Sequence, residues 1–333
     1  MGNIEQAPLS FRERWRTSDP VQFRQMHRLG NERFLLSGGL DSPTHPKAKL
    51  TCGMAVIDFP THQCVWRKVI PAHKTFRYSC ATTSLAIGVI PHAYKSDFCG
   101  VMAFGLADGE PSPRSTSVSG VVGVASLAGD DYAYATSDVG SLVISGEGQT
   151  AVACQLPHSD ALCITALTPC DGTHVIATLR RTRLIDGRGT IDFVHQLRDL
   201  SGSVVWQHVS ESESIVVRSD GQEVLVYADA GKGGATLVEC LNKADGLVNE
   251  TFVVPTSLAS LAYCTATQLL FGNPRYELCS YDRRSRQIHT VASLPSQYPG
   301  WLAISVSEPD RMVLVSKVDN FLSPKTTLAG FTF

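Results

Sequence analysis

The chain has 333 residues, 29 Lys+Arg against 31 Asp+Glu, a formal net charge of −2, and 43% hydrophobic but only 18% charged residues. That balance excludes intrinsic disorder, which needs low hydrophobicity and high net charge, and it gives no long-range attraction to nucleic acid or anionic lipid. At this length two ordinary domains and one repetitive all-β domain are both open.

Residues 1–15 lack the apolar stretch of a signal peptide. Gly2 is followed by Gln6 where an N-myristoylation motif wants Ser or Thr. No apolar run is long enough for a spanning helix, so no membrane span is expected. Helical periodicity is nearly absent, with no stretch of apolar residues at i, i+3, i+4 and i+7 over three turns. Short runs rich in Val, Ile, Leu, Phe and Tyr alternate with Gly, Asp, Ser, Asn and Pro, the pattern of strands and turns. Examples are residues 54–59, 141–145, 214–217, 223–227 and 312–315. Four such runs, 151–156, 190–197, 235–241 and 287–294, end in Leu156, Leu197, Leu241 and Leu294, spaced 41, 44 and 53 residues apart. Each unit holds three further strand candidates, and four strands in about 40–45 residues make one propeller blade.

The same spacing, extended both ways, predicts seven units at about 22–70, 71–117, 118–156, 157–197, 198–241, 242–294 and 295–333. The second is the least strand-like, since 109–119 reads as loop as much as strand. The seventh offers strands only at 301–305, 312–315 and 327–333, and its fourth is missing. Residues 9–15, in an N-terminal arm spanning 1–21, are expected to supply it. The predicted fold is all-β: a single seven-bladed β-propeller closed by an N-terminal strand, which leaves the ring without an open end.

Certain turns carry motifs. The fourth unit reads Leu156-Pro157-His158-Ser159-Asp160, then Asp171-Gly172-Thr173-His174. The third reads Ser137-Asp138-Val139-Gly140 between strand-like runs, and the fifth reads Arg218-Ser219-Asp220-Gly221. Asp or Asn beside Gly supplies the positive-φ geometry of a tight hairpin. These units resemble the WD40-repeat β-propeller family as a divergent member. The chain has no Trp-Asp dipeptide, Tyr281-Asp282 being the nearest equivalent, and Pro157 stands where the family has Gly. The resemblance implies a structural hydrogen-bond network within blades. Its histidines here would be His73 and His158, and its turn residues Ser137, Asp138, Ser219 and Asp220. It also implies a scaffold more often than an enzyme.

Catalytic signatures are missing from the sequence: there is no Gly-x-Gly-x-x-Gly, no P-loop, no His-Glu-x-x-His and no Gly-x-Ser-x-Gly. No catalytic residue, metal ligand or cofactor is therefore assigned. The ten histidines show no metal-ligand spacing within a strand. The ten cysteines form no Cys-x-x-Cys pair and mostly sit in apolar runs, which reads as buried thiols in a reducing compartment. An intracellular location, cytoplasmic or nuclear, is the expectation. Two basic clusters stand out: Arg180, Arg181, Arg183 and Arg188, and Arg283, Arg284 and Arg286. The first is expected in a second-to-third-strand hairpin on one face of the ring and the second in a third-to-fourth hairpin on the opposite face. Either could be a solvated turn. Guanidinium forks on the first, Arg180, Arg181 and Arg183, could also dock an acidic or phosphorylated segment. Neither cluster has the interleaved aromatics of a nucleic-acid surface.

Three functional readings follow. The first is a non-catalytic protein-interaction scaffold or adaptor, a subunit of a larger multiprotein assembly with other proteins as partners. The second is a propeller hydrolase or esterase with its site at the channel mouth. The third is a reader of phosphorylated or modified peptides using the Arg180–183 cluster.

Overall fold

The structure, a computed structural model, describes residues 12–19, 23, 25–29, 32–38, 52–70, 76–90, 99–138, 140–146, 149–156, 159, 161–185, 188–210, 214–218, 222–229, 234–258, 260–264, 267–275, 277–293, 301–307, 312–319 and 325–332. Every regular element among them is a β-strand. Strand β1 (Arg12–Asp19) comes first. Four-stranded antiparallel meanders follow in chain order. The first comprises β2 (Gln25–Arg28), β3 (Arg33–Gly38), β4 (Cys52–Asp58) and β5 (Gln63–Ile70). The second comprises β6 (Tyr78–Ala81), β7 (Leu85–Ile90), β8 (Gly100–Gly105) and the two-residue β9 (Thr116–Ser117). The third holds β10 (Val121–Ser126), β11 (Tyr132–Thr136), β12 (Ser141–Gly146) and β13 (Gln149–Gln155). The fourth holds β14 (Leu162–Pro169), β15 (His174–Ile185), β16 (Arg188–Asp199) and β17 (Val204–Ser210). The fifth contains β18 (Ser214–Arg218), β19 (Glu223–Asp229), β20 (Thr236–Asn242) and β21 (Val248–Val254). The sixth contains β22 (Ser260–Cys264), β23 (Gln268–Gly272), β24 (Glu277–Asp282) and β25 (Gln287–Ser293). The last sheet joins β26 (Trp301–Ser307), β27 (Met312–Asp319) and β28 (Lys325–Thr332) to β1, in the order β1-β28-β27-β26. There β1 runs antiparallel to β28, from Arg12↔Thr332 to Asp19↔Thr326, with a bulge between Glu13 and Trp15.

The small sheets take a propeller arrangement. The first strands of successive sheets are neighbours: β26 beside β2, then β6, β10, β14 and β18, with β22 beside β26. The fifth and sixth sheets share one apolar cluster, in which Leu225, Tyr227, Val238 and Phe252 meet Leu269, Phe271, Cys279 and Tyr281. Second and third strands are mostly apolar where neighbouring sheets cover both their faces. In β7, Leu85–Ile90, all six residues are buried. Fourth strands are covered on one side only. In β17 and β21 exposed and buried residues mix along the strand, and Val205 and Val253 face solvent.

The middle of the chain is phased differently from the expected units. Runs 190–197 and 235–241 fall in β16 and β20, third strands rather than fourth, and the fourth strands are β17 and β21. The boundaries expected at 197/198 and 241/242 therefore lie inside the fourth and fifth sheets. The reason is local. The Leu-ending runs at Leu197 and Leu241 lead into tight turns, not into a crossing to the next sheet. Asp199 Oδ1 accepts from the Ser201 and Ser203 amides, and Asn242 Oδ1 accepts from the Ala244 amide. Such Asx turns return the chain at once into a fourth strand.

Candidate functional site

The fourth sheet is irregular in one respect. Strands β15 and β16 have 12 residues each. Their ladder runs from His174↔Asp199 to Ile185↔Arg188. The flanking strands stop earlier: β14 reaches Arg181 through Leu162, and β17 reaches Phe193 through Ser210. The pairs from Thr182↔Ile191 to Ile185↔Arg188 extend past both flanks as a two-stranded ribbon.

Arg180, Arg181 and Arg183 lie where this ribbon leaves the sheet, Arg183 on it and Arg180 and Arg181 still flanked by β14. They are strand residues of β15, not residues of the hairpin expected from the sequence, because the hairpin falls at the far end of the longer ladder. Paired residues share a face and successive residues alternate. One face therefore carries Arg181, Arg183, Thr190 and Asp192, and the other carries Arg180, Thr182, Leu184 and Ile191. Asp192 is buried and joins the two guanidiniums. Arg181 donates from Nη2 to Oδ2 at 2.9 Å, and Arg183 donates from Nη2 to Oδ1 at 2.9 Å. The Arg183 hydrogen bond first, and then Arg181, holds the Asp192 carboxyl below the usual carboxylate range despite its burial. On the other face Leu184 is 79% exposed and Ile191 46% exposed. The three arginines are thus together on β15 but split between its two faces.

The second basic cluster lies in the β24–β25 turn, as expected of a third-to-fourth hairpin. Arg283 is not a solvated turn residue. It is buried against the fifth sheet, donating to Glu250 and Glu223 and to Cys240 Sγ, with its guanidinium 5.4 Å from the Phe252 ring centre. Arg284 and Arg286 are exposed.

Ser137 and Asp138 form a local turn rather than a link to a histidine among the described residues. Ser137 Oγ donates to the Gly120 carbonyl at 3.1 Å, and Asp138 accepts from Ser119 and Ser137. His73, His158, Ser219 and Asp220 lie outside the described residues.

Two other histidines join neighbouring sheets. His195 on β16 is fully buried, with Nδ1 3.0 Å from Thr178 Oγ1 on β15 and Nε2 2.6 Å from Ser214 Oγ on β18. It stacks on its cross-strand partner His208 at 6.3 Å, and His208 Nε2 is 3.1 Å from Glu239 on β20. Near the start of the chain His27 on β2 sits 2.7 Å from Ser79 on β6, which accepts from Ser37 and donates to Gln25. Burial lowers both imidazoles to a pKa of about 4, with His208 adding to the effect at His195. A Ser–His contact of 2.6 Å has the outline of an activated nucleophile. Here Nδ1 faces a hydroxyl instead of a carboxylate, and a base that weak and that buried draws no proton from Ser214 near neutral pH. The contact is a strut between the fourth and fifth sheets.

Other polar residues tie sheets in the same way. Asp130 of the third sheet accepts from Thr82 and from the amide and hydroxyl of Ser84 in the second. Lys243 Nζ lies 2.6 Å from Asp171, linking the fifth sheet to the fourth. Burial opposes ionisation of Asp171, but Lys243, Thr173 and His174 outweigh it and hold its carboxyl well below the usual range. Trp66 on β5 donates to the Leu106 carbonyl at 2.8 Å, and Trp206 on β17 to the Lys243 carbonyl at 2.7 Å. Each indole covers a glycine in the next sheet's third-to-fourth turn, Gly109 at φ 72° and Gly246 at φ 71°. A Cβ at Gly246 would lie 2.7 Å from the Trp206 ring. The sequence signal for this device is an Asp followed by a Trp about eight residues later, Asp58 and Trp66, then Asp199 and Trp206. The signal for His195 is weaker: an isolated His in an apolar run, with its hydroxyl partners on other strands.

Among the described residues no three His, Cys, Asp or Glu side chains come together as a metal-ligand set, and no described helix is long and apolar enough to cross a membrane. No protein-family model matches the chain, and no curated protein matches it.

Proposed function

We propose that the chain is a non-catalytic protein-interaction scaffold, a subunit of a larger assembly, built as a seven-bladed WD40-like propeller closed by its N-terminal strand. Seven four-stranded sheets and the β1–β28 ladder support the seven-bladed, closed form. The WD40 likeness rests on the turn motifs at 137–140 and 156–174. One observation carries the scaffold reading. The described polar groups with catalytic potential, His195, Ser214, Asp130 and Asp171, are held in links between sheets, whereas the β15–β16 ribbon extends past its sheet and presents Leu184 and Ile191 to solvent. Apolar side chains exposed on an element that projects from its sheet suit a docking surface. Free thiols at Cys80, Cys99, Cys154, Cys163 and Cys279 fit an intracellular setting, cytoplasmic or nuclear. Isolation of the tagged chain from its native source tests the reading: defined co-purifying proteins support it, and a chain isolated alone refutes it.

A further inference from the structure

Among the described residues the ribbon has an edge that no strand pairs. Among the described residues no strand flanks β16 over residues 188–192, because β17 begins its pairing at Phe193. An unpaired strand edge offers backbone N–H and C=O groups to an added strand. Side chains of an added strand alternate between the two faces of the ribbon. On one face they meet Arg181 and Arg183, whose guanidiniums lean across β16 because both are bound to Asp192. Each guanidinium has five N–H donors, so each keeps donors beyond those given to Asp192. The Arg181 and Arg183 side chains are 34% and 44% exposed. On the other face the added side chains meet Ile191 and Leu184.

We propose that the free edge of β16 takes an extended segment of a partner protein in which acidic residues alternate with apolar ones. The proposal rests on the scaffold reading and names its partner class. Charge complementarity supports it: residues 180–193 hold four arginines against two aspartates, in a chain whose net charge is −2. Asp192 orders the two guanidiniums as forks, the geometry that suits carboxylates. An anionic membrane fits less well. A bilayer surface meets one side of the ribbon, whereas Arg181 and Arg183 lie on the face opposite Leu184 and Ile191, and an alternating strand meets both faces together.

The test is fluorescence anisotropy with a labelled octapeptide of alternating Glu and Val. Controls are an alternating Lys–Val peptide, a peptide of the same Glu and Val content in two blocks, and phosphatidylserine vesicles. The alternating Glu–Val peptide is expected to bind the full chain in preference to both control peptides. Arg183→Glu places like charges together and is expected to weaken binding at least about tenfold. Leu184→Ser, which touches no ion pair, is expected to weaken it several-fold while leaving the melting temperature unchanged. Equal binding of the block or Lys–Val peptide, unchanged binding by both variants, or binding of vesicles without the peptide would overturn the proposal. The native source separates this claim from the scaffold reading. If the R183E/L184S double variant retains every protein captured by the unaltered chain, the edge is refuted and the scaffold stands. If the unaltered chain is itself isolated alone, the scaffold reading fails.

Discussion

Acidification from about pH 7.5 to pH 5 should weaken two seams of the protein through His27 and His195. Both imidazoles have a folded pKa of about 4 against an ordinary value of 6.5. Between those values the unfolded chain binds protons that the folded chain does not, so stability is full above pH 6.5 and falls as the pH drops toward 4. The proton-binding difference integrated to pH 5 amounts to about 2 kcal/mol for each histidine, or about 4 kcal/mol for the pair. The structural cause is the position of the rings. His27 meets Ser79 of the adjacent sheet, and His195 meets Thr178 of its own sheet and Ser214 of the next, and a charge there is removed from water with no carboxylate in contact. Urea denaturation of the unaltered chain and of a His27→Gln/His195→Gln double variant, each at both pH values, isolates the effect, because the carboxylates contribute equally to both proteins. The variant should lose about 4 kcal/mol less on acidification. The same pH dependence in both proteins would refute the assignment of these histidines as neutral struts.

Other outcomes follow from the packing between and within sheets. A chain beginning at residue 22 lacks β1 and uncovers the β28 edge, where Leu328 and Phe331 are each 2% exposed. Its loss of stability in thermal denaturation is expected to be at least about 3 kcal/mol, and an unchanged melting temperature would contradict closure by the N-terminal strand. Trp206→Ala removes a buried indole and its bond to Lys243, at a cost of about 3–5 kcal/mol by urea titration. Gly246→Ala forces a Cβ at positive φ against that indole and should cost about 1–3 kcal/mol. The two together should cost less than their sum, since removing the indole frees the space the new Cβ needs. Additive losses would mean that the Gly246 turn and Trp206 are not in contact.

The all-β class was legible because strand runs and turn residues alternate with short-range patterns that survive any tertiary context. The last unit's lack of a fourth strand was legible for the same reason, and β1 pairs with β28 from Arg12, three residues after the strand start expected at Leu9. The phase of the fourth and fifth units was not legible. A third strand ending at Leu197 and a fourth strand ending near Leu156 have the same local pattern, and only their hydrogen-bonded neighbours tell them apart. Arg180, Arg181 and Arg183 were visible as a cluster, but their division between two faces depends on a ladder that runs on to Ile185↔Arg188. Asp192 was not singled out, because its link to Arg181 and Arg183 crosses from one strand to the next. His195 and His27 were passed over for a related reason, since Ser214 and Ser79 belong to neighbouring sheets. Arg283 looked like a turn residue and is one by position, yet its charge is taken up by Glu223 and Glu250 across a sheet boundary.

The scaffold reading is tested most directly by the mass of the protein as it exists in its native source, measured by light scattering on the undenatured, gently purified material. A species well above the 36.0 kDa of one chain, containing other proteins in fixed proportion, is the predicted result. A species of single-chain mass with no companion protein would contradict it.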